Sequence, residues 1–257
     1  LTPSLNYVDY VEKPPLIYWL GMISYRLFGV SEAAARLPLA VLAVIGMLGA
    51  GWLGGWLYGP RVGLYALVML GTCAQFFGLS HIITPDMAVS VWLLWTTAFI
   101  LRALRRPEDA AWAGGGAWLC AVLAFFSKGL IALVFPGAWA TALLLFFPNL
   151  RRGLKPLIFN WGLLAFVVIV GGWFAAMEAA NPGFCHVFIV EHHFQRYLTA
   201  KYNRIGGWWF FIPVEIVGTL PWTPLVLPAV LAPLFRWSRA DARDRQLALW
   251  AAGVFVF

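Results

Sequence analysis

The sequence predicts an all-α membrane protein, a polytopic bundle of transmembrane helices joined by short loops. Of the 257 residues, 62% are hydrophobic and only 11% are charged, and the mean hydropathy is +0.79. Because soluble domains carry about 25% charged residues, this composition excludes a soluble fold. Apolar runs near the roughly 20 residues of one membrane crossing recur throughout. We therefore expect a single membrane domain over residues 1–257, without a sizeable soluble domain.

Seven full spans are indicated by the apolar runs and by the polar residues, glycines and prolines between them. The predicted spans are Leu37–Leu57, Val62–Leu79, Met87–Leu104, Ala110–Phe126, Leu130–Phe147, Pro156–Met177 and Trp209–Phe235. An eighth, Gln246–Phe257, stops within an apolar run. Since the chain also opens in polar sequence without an initiator methionine, we expect it to be an internal fragment.

Small residues within these spans predict packing and no chemistry. Gly51 and Gly55 form a GxxxG pattern, which is typical of a close approach between two helices. The cysteines, Cys73, Cys120 and Cys185, are scattered without CxxC spacing. An odd number of cysteines argues against a complete disulfide framework, so we interpret them as packing residues.

Basic residues cluster in alternate loops, which the positive-inside rule assigns to the cytoplasm. These residues are Arg61, then Arg102, Arg105 and Arg106, then Arg151, Arg152 and Lys155, and finally Arg236, Arg239, Arg243 and Arg245. The topology thus explains the net charge of +7. We expect the lipid bilayer as a partner and no nucleic acid.

The remaining loops define an outer face whose charges that rule does not explain. Its cations are Lys13, Arg26, Arg36, Lys128, Arg196, Lys201 and Arg204, and its acidic and histidine residues include Glu12, His81, Asp86, Glu191, His192 and His193. Charged groups near hydrocarbon are costly unless they are paired or hydrated, so a one-sided cluster predicts a functional site. We expect the outer loops 1–32 and 178–207 to form it, as short amphipathic helices that meet above the spans.

The first outer loop places Glu12 and Lys13 directly before two prolines. Pro14 and Pro15 remove two backbone donors and disfavour a helix before them. They therefore fix the Glu-Lys pair at the head of an aromatic helix that lies in or enters the membrane interface. The alternative is an interfacial ion pair that only anchors the helix end.

Motifs along nearly the whole chain resemble the family of aminoarabinose transferases and protein O-mannosyltransferases. In order they are LTPSLNYVDYVEKPPLIYWL, LFGVSEAAARLP, ITPDMAV, FFSKGLIALVFPG, FIVEHHFQRYLT and GGWWFFIPVEIVGTLPW. Members of this family are GT-C glycosyltransferases, which take a sugar from a polyprenyl-phosphate carrier. The resemblance implies a bacterial inner-membrane enzyme with an undecaprenyl carrier, no required cofactor, a periplasmic active site, and lipid A, a protein or a glycan as acceptor.

Sugar transfer from a lipid phosphate needs a base for the acceptor hydroxyl and positive charge for the leaving phosphate. In the family the presumed base is an aspartate of an Asp-Glu pair, and the resemblance places that pair ahead of Leu1. We therefore expect the isolated fragment to be inactive. Unlike hydrolysis of an ordinary glycoside, departure of a phosphate requires no protonated acid.

The resemblance assigns roles to the residues that match the family's motifs. Lys13 and Arg196 would hold the carrier phosphate, with Lys128 in the same anionic region. Asp86 would face the acceptor or the sugar, and Glu12 would orient Lys13 or line the sugar pocket. The expected substrate-binding set is completed by Glu191, His192, His193 and Tyr197.

Several of these residues have structural alternatives. Asp86 follows Thr84-Pro85 and can cap the helix that begins there, and Lys128 can snorkel at a helix end. His192 and His193 suggest a divalent metal, but adjacent residues on a helix point about 100° apart and lack the i, i+4 geometry of a zinc helix. Because His192 and Arg196 share a helix face, a phosphate clamp is favoured over a metal site.

A transporter or flippase of a lipid-linked or anionic substrate is the alternative function. Transporters typically carry coupling charges near the bilayer midplane and are often built from two related halves. Here the middles of the spans are nearly free of charge, with Glu215 as the exception, and the sequence shows no repeat between halves. The pattern therefore favours a glycosyltransferase.

Overall fold

The chain folds as a bundle of α-helices, as its composition predicts. The computed structural model describes the backbone of residues 4–5, 8–9, 13–195 and 209–256, and the side chains of 13–190 and 209–255. The helices are α1 (Leu16–Phe28), α2 (Glu32–Tyr58), α3 (Pro60–Gly71), α4 (Ala74–Leu79), α5 (Pro85–Arg105), α6 (Ala110–Lys128), α7 (Ile131–Phe146), α8 (Leu154–Ile158), α9 (Trp161–Ala180), α10 (Phe211–Gly218), α11 (Thr223–Phe235) and α12 (Ala242–Val256).

Shorter elements connect or precede these helices. Pro107–Asp109 and Pro148–Gly153 form 3-10 turns, and His186–Gln195 forms a π-helix. Ahead of α1, the two-residue strands β1 (Ser4–Leu5) and β2 (Val8–Asp9) pair antiparallel. These strands are a local addition that the apolar pattern did not predict.

The centre of the bundle is formed by α5 and α6. Within the described residues, four helices are long and apolar enough to cross a membrane, namely α2, α5, α9 and the segment Pro107–Lys128 that includes α6. In the most apolar window of α5 and of Pro107–Lys128, 61% of the residues are buried, against 22% in α2 and in α9. The outer helices α2 and α9 thus have fewer buried residues than the central pair, as expected for helices that contact lipid on one side.

Three predicted spans are interrupted in the structure. Pro156–Met177 divides at Phe159-Asn160 between α8 and α9, and the other two divide nearer their middles. Val62–Leu79 divides into α3 and α4, and Trp209–Phe235 divides into α10 and α11. These last two breaks contact each other. The Ala74 amide donates to the Leu220 carbonyl oxygen at 2.9 Å, and Cys73 Sγ donates to the Gly218 carbonyl oxygen at 2.9 Å. Since a break inside a membrane frees backbone groups that need partners, this mutual hydrogen bonding explains why both spans can be interrupted.

Close packing of α2 on α3 confirms the interpretation of the GxxxG pattern. A Cβ atom at Gly63 of α3 would lie 2.5 Å from the Gly51 carbonyl oxygen and 2.9 Å from the Gly55 Cα. Both distances are shorter than ordinary carbon contacts. The two helices therefore approach so closely that Gly63 leaves no room for a side chain.

The arginine-rich loops gather at one end of the bundle, which we call the basic end. Residues from the end of α2, the end of α5, the start of α6 and the 148–157 connection share one buried cluster, in which Leu57, Leu104, Ala110, Leu150 and Leu157 take part. Helix α12, which extends the predicted span Gln246–Phe257 at its start, packs there as well. The hydroxyl of Tyr58 donates to Asp244 at 2.5 Å.

Tryptophans surround Arg102 near the basic end. Its guanidinium carbon lies 5.7, 5.2 and 5.3 Å from the ring centroids of Trp52, Trp56 and Trp112. Its Nη2 atom lies 2.7 Å from Asp109 Oδ2. Tryptophan and arginine at one level are typical of a membrane interface, so this cage marks the headgroup region at the basic end.

Candidate functional site

An ion pair joins the two central helices at the end opposite the basic end. Asp86 lies in the first turn of α5 and Lys128 is the last residue of α6, so the antiparallel helices bring them together. Lys128 Nζ lies 2.5 Å from Asp86 Oδ1, and the side chains are 47% and 41% exposed. Ion pairs of this exposure contribute roughly 0–1 kcal/mol to stability. An anionic ligand can therefore rearrange the pair at little cost.

The position of Asp86 rules out its interpretation as a helix cap. The N-cap of α5 is Thr84, and Asp86 follows it by two residues, inside the first turn. A carboxylate there is favoured by the helix dipole, and this one accepts a hydrogen bond from the Lys128 ammonium. Lys128 does lie at a helix end, as the snorkelling alternative requires, and its ammonium is held by Asp86.

Lys13 lies just outside the packed core at the same end. The lysine is exposed, whereas Pro14, Pro15 and Leu16 after it are buried. Leu16 packs in a cluster with Phe126 of α6 and Phe188 of the π-helix. No ion pair joins Lys13 to another side chain within the described part of the chain.

Helix α1 is attached to α2 on one face and carries exposed apolar side chains on another. The Ser24 hydroxyl donates to the Ala34 carbonyl oxygen at 2.5 Å, which attaches α1 to the start of α2. On its other face, Met22, Leu27 and Phe28 are 65%, 69% and 63% exposed. An apolar face of this size is suited to contact with lipid.

Glu178 fixes the start of the second outer loop, a role that the sequence did not predict. Its Oε1 accepts a hydrogen bond from the Gly183 amide at 2.8 Å, and its Oε2 accepts one from the Cys185 amide at 2.7 Å. Both acceptor atoms of the carboxylate are thus used to fix the turn between α9 and the π-helix. The available signal was an acidic residue three positions before Asn181-Pro182-Gly183 at the end of an apolar span.

An aromatic cluster continues from that turn into the core. The ring centroids of Trp173 and Phe184 are 5.3 Å apart, and those of Phe174 and Phe188 are 5.6 Å apart. Phe188 is 1% exposed and contacts the cluster that contains Leu16. The described parts of the two outer segments, around 13–28 and 178–190, therefore share one core.

Two outer charges have local partners and need no ligand to explain them. Arg36 Nη2 lies 2.5 Å from Glu32 Oε1, one turn away on α2. His81 Nδ1 lies 2.9 Å from both the Ser80 hydroxyl and the Phe77 carbonyl oxygen. We therefore leave both residues out of the candidate site.

The structure describes no side chain for the remaining predicted site residues. Glu12, Arg196 and Tyr197 lie outside the described residues, and only the backbone is described at Glu191, His192 and His193. Among the described side chains, no three His, Cys, Asp or Glu residues are grouped as metal ligands. Because the EHH run is not among those side chains, its assignment stays a prediction.

Comparison with known proteins agrees with this architecture. The family model of dolichyl-phosphate-mannose-protein mannosyltransferase matches residues 12–174. The undecaprenyl phosphate-alpha-4-amino-4-deoxy-L-arabinose arabinosyl transferase 1 of Sodalis glossinidius is 30% identical, and the match covers 100% of this chain and 46% of that protein. The corresponding transferase of Pectobacterium atrosepticum is also 30% identical, with the same two coverages.

A solved structure confirms the fold. The crystal structure of ArnT from Cupriavidus metallidurans bound to undecaprenyl phosphate is similar with a TM-score of 0.85 and 25% sequence identity. The match covers 99% of this chain and 46% of that chain, so the sequence spans about half the length of the relatives it matches. The predicted all-α, GT-C type membrane fold is thereby confirmed.

The family follows from the extent of these matches. The family model covers more than half of the chain and includes α1, α5, α6 and the Asp86–Lys128 pair. The apolar helices and the bacterial relatives make this a multi-pass protein of the bacterial inner membrane. The chain belongs to the dolichyl-phosphate-mannose-protein mannosyltransferase family.

Proposed function

We propose that the full-length protein is a membrane glycosyltransferase that moves a sugar from undecaprenyl phosphate to lipid A, a protein or a glycan at the periplasmic face. The observation that carries this proposal is the Asp86–Lys128 pair at the end opposite the arginine-rich loops. Lys13 is three residues before Leu16, which shares a buried cluster with Phe126 of α6. The similar structure that contains undecaprenyl phosphate supports the choice of carrier.

The proposed reaction is a displacement at the anomeric carbon of the sugar. The acceptor hydroxyl oxygen forms a bond to that carbon, the bond from the carbon to the phosphate oxygen breaks, and polyprenyl phosphate leaves. A carboxylate takes the proton of the hydroxyl. Cations stabilise the negative charge that develops on the phosphate.

The Asp86–Lys128 ion pair gives Lys128 and Lys13 different expected roles. Since Asp86 already balances the charge of Lys128, that lysine attracts an anion less strongly than Lys13 does. We therefore assign the leaving phosphate to Lys13, together with Arg196. The Asp86–Lys128 pair presents both an acceptor and a donor, which suits the hydroxyl or amino groups of a sugar.

An apolar groove beside Lys13 offers a place for the carrier's hydrocarbon. A cavity of about 280 Å³ runs between α1 and α2, lined by Leu16, Leu20, Ile23, Leu27, Leu42 and Trp92, among others. Leu16, which lines this cavity, follows Lys13 by three residues in the sequence. A phosphate at Lys13 would place the first isoprenoid units at its mouth, where burial of apolar area favours binding.

Transfer by the full-length protein in lipid nanodiscs tests the proposal. The donor is undecaprenyl-phosphate aminoarabinose with a fluorophore on the sugar, and lipid A is the acceptor. A mannose donor labelled on its sugar and a protein acceptor form the second arm. We expect labelled acceptor in one arm and at least tenfold less with Asp86→Asn. Movement of the donor across proteoliposomes without acceptor labelling in either arm would instead establish the transporter. The names of the relatives favour transfer.

A further inference from the structure

A second charged cavity lies at the basic end, far from the candidate site. It has a volume of about 450 Å³ and is lined by Trp56 and Leu57 of α2, Arg105 at the end of α5, Arg106, and residues 241–243 at the start of α12. This volume lies within the roughly 300–1,000 Å³ typical of ligand sites. The cavity is thus formed by parts of three helices that are distant in sequence.

Positive charge is in excess in this cavity. Arg105, Arg106 and Arg243 line it, and the lining carboxylate is Asp241. Both carboxylate oxygens of Asp241 accept hydrogen bonds from Arg243. Oδ1 accepts from Nε at 3.0 Å, and Oδ2 accepts from Nη2 at 3.2 Å. Those hydrogen bonds lower the pKa of Asp241 to about 2, so it stays ionised at neutral pH. Two guanidinium charges remain uncompensated by the lining.

The three arginines differ in how firmly they are held. Arg243 Nη1 donates to the Leu57 carbonyl oxygen at 2.6 Å, which ties α12 to the end of α2. Arg105 Nη1 donates to the neutral side chain of Gln246 at 2.9 Å. Arg106 is exposed and makes no ion pair with any side chain that the structure describes. Arg105 and Arg106 therefore retain donors for a ligand.

The cavity lies at the level of lipid headgroups. Helix α5 has 21 residues and at 1.5 Å per residue is about 31 Å long, close to the thickness of the hydrocarbon core. Its last residue, Arg105, is therefore one membrane thickness from Asp86. Trp56, which lines the cavity, also belongs to the tryptophan cage of Arg102, a group typical of the interface.

We propose that this cavity binds the phosphate headgroup of an anionic phospholipid at the cytoplasmic face. Arginine forks bind phosphate oxygens in a bidentate manner, and basic pockets between transmembrane helices are suited to anionic headgroups. A lipid in this position would bridge α2, α5 and α12. It would act on the stability of the bundle, at a site separate from sugar transfer.

This site can be tested by native mass spectrometry of the full-length protein. The protein is released from detergent that contains phosphatidylglycerol, and the lipid that stays bound is measured. The cavity variant is Arg105→Gln/Arg106→Gln, and the matched control is Arg151→Gln/Arg152→Gln, which removes two charges from the same end outside the cavity. We expect at least tenfold weaker retention of phosphatidylglycerol in the cavity variant and less than a twofold change in the control. Arg106→Gln alone should weaken retention of phosphatidylglycerol about threefold. Because Arg106 is exposed and has no ion pair among the described side chains, this variant should fold normally and so separates lost binding from misfolding.

Two further probes separate the sources of phosphate. Phosphatidylethanolamine should be retained at least fivefold less than phosphatidylglycerol, and millimolar inorganic phosphate should not raise the melting temperature. Equal losses in the cavity and control variants would overturn the proposal, because they would indicate general charge attraction. Stabilisation by inorganic phosphate that disappears in the cavity variant, without retention of phosphatidylglycerol, would replace the lipid by a soluble phosphate compound.

Discussion

Lys128 Nζ lies 2.5 Å from Asp86 Oδ1, although 42 residues separate the two in sequence. The contact depends on the register of α5 against α6, the two most buried membrane helices. Both side chains are nearly half exposed, so their attraction is screened by solvent. Removal of the pair should therefore have little effect on folding, so that loss of transfer in a variant would report on function.

Asp86→Asn and Lys128→Met should each reduce transfer at least tenfold in the full-length protein. The melting temperature should fall by at most about 4 °C, since an exposed pair contributes about 1 kcal/mol or less. Transfer assays and thermal unfolding in the same detergent provide both values. A large loss of melting temperature that parallels the loss of transfer would identify the pair as structural.

Arg196→Ala should cut transfer at least tenfold, because a charge-assisted contact to phosphate is worth about 1.5–3 kcal/mol. Arg196→Lys should restore activity only in part, since lysine lacks the bidentate fork. Arg152→Ala, at an exposed residue of the basic end, serves as the control and should leave turnover nearly unchanged. Wild-type activity of a correctly inserted Arg196→Ala would remove this arginine from the phosphate site.

Single cysteines introduced at Lys13, Asp86, Lys128 and Arg196 should all react with a membrane-impermeant thiol reagent from the periplasmic side. Cysteines at Arg106 and Arg152 should react only after the membrane is opened. The structure already joins Asp86 to Lys128, and the positive-inside rule supplies the orientation. Cytoplasmic labelling at any of the first four positions would contradict the proposed site.

Gly63→Ala should destabilise the bundle by about 1–3 kcal/mol, because the added Cβ overlaps the backbone of α2. Gly55→Ala is the matched control on the same interface. Its Cβ would meet Gly63 Cα at 3.8 Å, an ordinary contact, so the melting temperature should stay within a few degrees of the wild type. Similar unfolding of both variants would show that α2 and α3 are less closely packed than described.

Glu178→Ala should speed proteolysis between 181 and 185 at least threefold, because it removes the acceptors of two backbone amides. Glu178→Gln should lie between wild type and alanine, since its amide group retains one acceptor oxygen. Limited proteolysis with mass analysis measures both rates. Equal rates in all three proteins would mean that the turn does not depend on Glu178.

Hydropathy predicted the spans that became α2, α5, α6 and α9, because each of them is a continuous apolar run that satisfies its own backbone. It missed the breaks at Thr72 and at Thr219–Trp222. The breaks are stabilised by hydrogen bonds between segments about 145 residues apart, as between Cys73 and Gly218, and an apolar average does not register such contacts.

The sequence could predict on which side of the bundle the candidate site lies, but not which of its residues contact each other. Alternation of the loops was enough to place Asp86 and Lys128 on one side. Their direct pairing required the relative register of two helices, which sequence spacing does not contain. Glu178 was missed since its partners are backbone amides, Gly183 and Cys185, and these carry no side-chain signal.

The run of buried residues after Lys13 has a consequence for ligand affinity. Pro14 and Pro15 restrict the backbone and Leu16 is fixed among core aromatics. The chain therefore loses its conformational entropy at this point during folding, before any ligand is present. A lysine whose main chain is preorganised binds an anion with a smaller entropy loss than one on a free loop, so its contribution to affinity is larger. The double proline would thus strengthen the proposed phosphate contact of Lys13 by restricting the backbone that follows it.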